Sequence, residues 1–212
     1  MKRFTLLLVG SVMLAGVAPI ASAALIQIQL GGVDLRYNGT NLFDAGTSSP
    51  DPLTNATFMV DGFEAGVDTT DVTMDLHIPG VTNIPVGGGQ LNSSSGGSLN
   101  LDLGGGEYLS LALDSAFVAY IPMTSTIQFV FIGSAASSTG QNLPHGISIN
   151  DPIGISFSTQ IVEPISQSGG FVAVFKSAGT GEIQGFGVGI PEPATLSLLA
   201  LGGLAILRRR RK

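Results

Sequence analysis

Five carboxylates that could bind a cation lie close together in the sequence: Asp61, Glu64, Asp68, Asp71 and Asp75. Ca²⁺ is held by several oxygen ligands, and weak sites can fill outside the cell, where calcium is plentiful. The spacing differs from an EF-hand loop, which needs alternating acidic positions before a glycine and a glutamate at the twelfth position. A solvated acidic segment is therefore the primary interpretation, and a calcium site is the alternative.

The two histidines provide little further chemistry. His77 shares the polar face of a predicted strand with Asp75 and Asp71, so a carboxylate–imidazole cluster is geometrically possible. A solvated outer face is the simpler interpretation. His145 follows Leu143 and Pro144 in a predicted loop, with no ligand spacing near it. Because no Gly-x-Ser-x-Gly motif and no cysteine occurs either, the sequence predicts a protein that is not an enzyme.

Two other functions remain open as alternatives. Sugar binding usually needs exposed aromatic rings, and the chain has no tryptophan and three tyrosines, of which only Tyr37 lies near a predicted loop edge. An enzyme acting on polysaccharide would need two carboxylates about 5–9 Å apart. The sequence cannot place a pair such as Asp102 and Asp114 at that distance.

The elements that must position these side chains are short β-strands. Apolar and polar residues alternate with period two in many segments, which is typical of half-buried strands. Thirty glycines supply turns between these strands, and residues 40–55 and 133–142 are predicted to be loops. The predicted strands are residues 25–30, 33–37, 57–60, 71–78, 99–103, 109–121, 126–132, 154–159, 170–175 and 182–188.

This pattern predicts an all-β fold, and specifically an antiparallel, jelly-roll-like β-sandwich, with a barrel as the less favoured arrangement. A helix from Tyr108 to Ala116 is a weaker alternative for part of the longest apolar stretch. No repeat of fixed period is visible, so a solenoid is disfavoured. We expect one domain, residues 24–189.

The charge of that domain excludes nucleic acid as a partner. Of nine basic residues only Arg36 and Lys176 lie in residues 24–189, against fourteen acidic residues, so the formal charge is 2 − 14 = −12. Such a surface lacks the cations that neutralise phosphates. It should attract cations or basic partners and stay soluble outside the cell.

The N-terminal residues 1–23 have the three parts of a secretory signal peptide. Lys2 and Arg3 form a basic start, residues 4–20 are apolar, and Ala21 and Ala23 flank Ser22 in a small-residue cleavage site. Cleavage by signal peptidase would leave Ala24 as the first residue.

The C-terminal residues 190–212 combine a stiff spacer, an apolar run and a basic end. Pro191 and Pro193, on either side of Glu192, favour extended backbone and end the preceding strand. Residues 194–207 carry no charge and span about 21 Å as a helix, which is short for a membrane of about 30 Å. The chain ends in five basic residues that lengthen this span by snorkelling and stay on the cytoplasmic side: Arg208, Arg209, Arg210, Arg211 and Lys212.

These three parts in this order resemble the PEP-CTERM sorting signal of Gram-negative bacteria, through Pro191, Glu192, Pro193, the apolar run and the arginine cluster. The resemblance implies recognition by an exosortase, a membrane-embedded enzyme similar to a cysteine transpeptidase. It further implies removal of the tail near the Pro-Glu-Pro motif and delivery to the cell surface or an exopolysaccharide matrix. It covers only the tail and says nothing about the fold of the cargo.

The sequence as a whole therefore predicts an exported structural protein of the cell surface or extracellular matrix, associated with exopolysaccharide. Its expected partners are signal peptidase, exosortase and, before processing, the inner membrane through a short C-terminal transmembrane helix. No cofactor is expected, with calcium as the exception noted above. A carbohydrate- or calcium-dependent binding or adhesion module is the alternative function.

Overall fold

A computed structural model of the protein describes residues 23–44, 51–69, 72–163 and 166–188. These residues form fourteen strands and two single-turn 3₁₀ helices, Pro122–Thr124 and Pro144–Gly146. The strands are β1 (Ala23–Tyr37), β2 (Leu42–Asp44), β3 (Asp51–Pro52), β4 (Asn55–Val60), β5 (Phe63–Thr69), β6 (Thr73–Ile78), β7 (Gly89–Asn92), β8 (Gly97–Gly104), β9 (Glu107–Leu113), β10 (Phe117–Ile121), β11 (Thr126–Asn142), β12 (Asn150–Ile161), β13 (Ser166–Ser168) and β14 (Phe171–Val188).

Eight of these strands close into a barrel. The order β14-β12-β11-β9-β8-β6-β2-β1 is hydrogen-bonded throughout, and β1 pairs again with β14 to complete the ring. All of these pairings are antiparallel. The prediction of an all-β antiparallel fold is confirmed. The predicted sandwich of two sheets is replaced by one closed sheet, because β1 and β14 pair over nearly their whole length and the short β2 bridges β1 to β6.

The remaining strands extend this ring at its edges. β4 and β5 continue outward from the first half of β1. β10 pairs with β11 and β7 pairs with β10, while β13 lies beside β14 and β3 pairs with β6. β5, β7 and β13 were not predicted, and β2 and β3 fall in the segment predicted to be a loop. Glycine, asparagine and charged residues weaken the local signal in such short strands, so pairing with a neighbour decides their conformation.

Two long strands were predicted as separate pieces. The Gly31–Gly32 pair is a bulge inside β1 rather than its end, since the register with β14 shifts between Gly31 and Val33 and then continues to Tyr37. β14 likewise runs without interruption through its glycines, and β11 continues through residues 133–142. Glycine was therefore a poor guide to where these strands end.

Alternation along each strand fills the inside of the ring with apolar side chains. In β8 the inward residues Leu99, Leu101 and Leu103 are buried while the residues between them face outward. The largest fully buried side chains include Phe58 and Phe157. Burying a side chain of this size stabilises a fold by about 1.5–3 kcal/mol, so the interior of the ring is the core of the domain.

The two ends of the folded region lie side by side. Ala23, the first described residue, pairs with Val188, the last. Ala24 is buried and pairs with Gly187. The segments before and after the barrel therefore leave it from neighbouring strands at the same end.

Candidate binding surface and sorting signal

The acidic residues of 61–75 do not converge on one point. Asp61 lies in the turn between β4 and β5 with a φ of 50°, and its Oδ1 accepts a hydrogen bond of 2.8 Å from the backbone N–H of Leu25. Asp61 thus ties this hairpin to β1, a structural role. Glu64 is exposed on β5, and the backbone of Asp68 pairs with Thr57. Asp71 lies outside the described residues.

Asp75 belongs to a different part of the sheet. It is exposed on the outer face of β6, opposite Asn100 of β8, and β2, β1 and β4 separate β6 from β5 in the strand order. Within residues 23–44, 51–69, 72–163 and 166–188, no group of three or more histidine, aspartate or glutamate side chains is placed to hold a metal ion.

The two histidines occupy unrelated positions. The His77 ring stacks on Phe43, with 5.4 Å between ring centroids and 17° between planes. This contact, between neighbouring strands β2 and β6, gives His77 a packing role on the outer face. His145 lies in the 3₁₀ turn with a φ of 56°.

Tyr37 is not the exposed sugar platform that its position next to a turn suggested. Its side chain is fully buried, its ring stacks on Phe175 at 5.2 Å, and its hydroxyl donates a 2.6 Å hydrogen bond to the Val81 carbonyl oxygen. Burial raises the pKa of the Tyr37 hydroxyl above its ordinary value. Tyr37 therefore belongs to the core.

The exposed tyrosine is Tyr108, at the start of β9. It is 44% exposed and lines an open depression of about 380 Å³ on the outer face of β6, β8 and β9. The polar residues around it come from all three strands. We call this the Tyr108 surface and define it by Thr73, Asp75, Asn100, Asp102, Tyr108 and Ser110.

Strand register arranges these side chains in two rows. One row runs from Thr73 through Asp102 to Tyr108, and the next from Asp75 through Asn100 to Ser110. Because neighbouring strands are about 4.8 Å apart, adjacent members of a row are in reach of one small ligand.

The Tyr108 ring occupies the space above a glycine of the next strand. A Cβ placed on Gly140 of β11 would lie 3.4 Å from the Tyr108 Cε2 atom, so the ring covers the space that a larger residue would fill. On the other side, Asp102 accepts a 2.9 Å hydrogen bond from the Gly104 N–H. This hydrogen bond orients the Asp102 carboxylate beside the turn.

Sequence reasoning overlooked this surface although one signal was present. With Leu109 and Leu111 pointing inward, the period of two places Tyr108 and Ser110 outward. The neighbours contributed by β6 and β8 could be found only from the register between strands.

Asp102 and Asp114, the carboxylate pair that an enzyme would have to bring together, lie far apart. Asp102 is the register partner of Tyr108, whereas Asp114 follows the far end of β9. Six residues of strand separate the two positions by about 20 Å, well beyond the spacing of glycosidase carboxylates.

A second polar depression, of about 490 Å³, lies on the outer face of β4, β1, β14 and β12. Glu182, the one carboxylate among its described lining residues, accepts hydrogen bonds at Oε1 from the side-chain amides of Gln27, at 3.0 Å, and Gln184, at 2.7 Å. None of the described residues that line this depression is aromatic, so we distinguish it from the Tyr108 surface.

The fold and the chain ends together define the class of protein: an antiparallel barrel with a C-terminal sorting signal. Residues 189–212 match the family model of the PEP-CTERM protein-sorting motif, directly after the last residue of β14. The resemblance found in the sequence is therefore confirmed. The motif implies recognition by an exosortase and export toward the cell surface.

The family match covers residues 189–212 and none of the barrel strands. No curated protein and no solved structure matches the chain. The sorting residues Pro191, Glu192 and Pro193, the predicted terminal helix and the basic cluster 208–212 all lie outside the described residues, as does Ala21 of the predicted signal peptide. In the part of the chain that the structure describes, no helix has the length and apolar character needed to cross a membrane.

Proposed function

We propose that this protein is a structural component of the cell surface or extracellular matrix, associated with exopolysaccharide and delivered by an exosortase. In this proposal, signal peptidase cuts between Ala23 and Ala24, and the tail holds the precursor in the inner membrane. The exosortase then acts near Pro191, and the barrel is released or attached at the surface.

The observation that supports this proposal most directly is the position of the sorting signal relative to the barrel. The matched segment starts at residue 189, and β14 ends at Val188. The buried apolar residues extend from Ala24 to Ile183. Removing both targeting segments would therefore leave in place every core residue that the structure describes, as expected for cargo that functions after processing.

A non-enzymatic role fits the open surface of the barrel. Asp75 and Asp102, the carboxylates beside Tyr108, are exposed on the face of a sheet. Catalytic sites generally hold their reacting groups in a concave cleft that shields them from bulk water. The shallow Tyr108 surface is better suited to binding than to cleavage.

Carbohydrate binding is the second candidate function, and the Tyr108 surface is the observation that favours it. An exposed ring with hydroxyl, amide and carboxylate groups around it has the mixture of apolar and polar contacts found in small-molecule sites.

Intact-mass analysis of the protein from its native host, fractionated into membrane, periplasm and extracellular material, tests the sorting proposal. We expect a matrix species that begins at Ala24 and ends near Pro191. A matched variant, Glu192→Ala, should accumulate in the membrane fraction with its tail still attached. Full-length protein retained in the inner membrane for the native chain as well would refute the proposal, because the tail would then be a permanent anchor.

A further inference from the structure

We propose that the Tyr108 surface binds a pyranose ring of an uncharged polysaccharide. This inference rests on the proposed matrix function, for which it supplies a ligand, but it concerns a site in the barrel that the sorting signal does not touch.

The apolar half of the site is the Tyr108 ring. It is 44% exposed and occupies the space above Gly140, so a ligand can reach it from the outer face of the sheet. One face of a pyranose presents C–H groups with little polarity, and the electron-rich face of an aromatic ring attracts such groups. A tyrosine side chain has only two rotatable bonds, so it loses little conformational freedom on binding, which favours affinity.

The polar half consists of side chains that match sugar hydroxyls. Asp102 is the register partner of Tyr108, and Asn100 lies between Asp75 and Ser110 in the next row. Carboxylate oxygens accept hydrogen bonds from hydroxyl groups, while amide and hydroxyl side chains can both donate and accept. Hydrogen bonds to ionised carboxylates are the stronger ones, so Asp75 and Asp102 should contribute most.

The charge of the site selects the class of polysaccharide. The surface carries Asp75 and Asp102, with Glu107 at its edge, and neither Arg36 nor Lys176 lies on β6, β8 or β9. Lys176 is instead paired with Glu163 at 2.6 Å on another part of the molecule. Uronic acids and sulfated sugars would face uncompensated repulsion, so an uncharged glycan is the ligand that fits.

Affinity electrophoresis of the full-length chain tests this inference directly. The protein is purified in a polyoxyethylene detergent, because sugar-based detergents would compete, and run through native gels that contain dextran, hydroxyethyl cellulose or glucomannan, with alginate as the charged glycan. We expect retardation in at least one of the three neutral gels and none in alginate. Tyr108→Ala should weaken binding about tenfold, equivalent to about 1.4 kcal/mol.

Matched variants separate a binding role from a structural one. Tyr108→Phe keeps the ring and should retain most of the affinity, and Asp102→Asn keeps the hydrogen bond to Gly104 but should weaken binding. Phe63→Ala removes a ring that is 77% exposed elsewhere and should leave retardation unchanged. Each variant should keep the melting temperature of the parent, since neither Tyr108 nor Phe63 belongs to the core.

Three results would overturn the inference: no retardation in any neutral gel, equal retardation of the parent and Tyr108→Ala, or stronger retardation in alginate. None of these three results would change the intact masses measured in the sorting experiment. Failure of the sugar site and failure of the sorting proposal are therefore distinguishable.

Discussion

Gly179 provides a demanding test of the packing between β12 and β14. Its register partners are Thr159 of β12 and Val33 of β1, so it lies where the ring is closed on both sides. A Cβ at this position would collide with the Ser158 carbonyl oxygen and lie 2.7 Å from the Thr159 Cα atom. Both are backbone atoms, so no side-chain rotation can relieve the overlap.

We therefore expect Gly179→Ala to lower the free energy of unfolding by about 1–3 kcal/mol, the usual cost of overpacking a core. For a domain of this size that corresponds to a fall in melting temperature of about 3–10 °C. Circular dichroism during thermal unfolding of the full chain measures it.

Gly154→Ala is the matched control in the same pair of strands. A Cβ at Gly154 has no atom within 4 Å, and Gly154 does not adopt a positive φ. Alanine should therefore reduce the entropy of the unfolded chain at no structural cost and stabilise the fold by about 0.4–1 kcal/mol. The two substitutions should shift the melting temperature in opposite directions. An unchanged or higher melting temperature for Gly179→Ala would refute the close approach of β12 and β14.

Two further predictions concern the buried tyrosines. Tyr37→Phe keeps the packing but leaves the buried Val81 carbonyl without its donor, which should cost about 1–3 kcal/mol in urea unfolding; an unchanged midpoint would contradict the hydrogen bond. Burial raises the pKa values of Tyr37 and Tyr120, so both stay neutral in the fold while the unfolded chain ionises near pH 10. The neutral tyrosines contribute fully to the stability of the fold below that pH, and this contribution is lost as the pH rises through their raised pKa values. The melting temperature should therefore fall between pH 9 and 11, and less steeply in Tyr37→Phe. A melting temperature that does not change with pH in this range would refute the assignment.

Individual strands could be predicted from the sequence where apolar and polar residues alternate, which places the apolar residues on one face. The segment around Leu99, Leu101 and Leu103 is predicted correctly because period two is a local property of the chain. Tyr37 shows the limit of such reasoning. Its position before a turn suggested exposure, but the ring is buried because β14 brings Phe175 against it.

The sorting signal could be predicted from the sequence alone because each of its parts acts through local composition and order along the chain. Proline stiffness, an uncharged apolar run and terminal basic residues each work through composition and order, without partners elsewhere in the molecule. The family match at residues 189–212 confirms the prediction of a sorting signal.

The barrel and the Tyr108 surface were decided only by tertiary structure. Alternation identifies a strand but not its neighbour, and the seam that closes the ring joins residues as far apart as Gln27 and Glu182. The same long-range register places Thr73 and Asp102 beside Tyr108. The sequence thus determined where this protein is sent and that its body is built from strands. The pairing of distant strands decided which side chains meet on its surface, because register is fixed by burying one face of every strand at once.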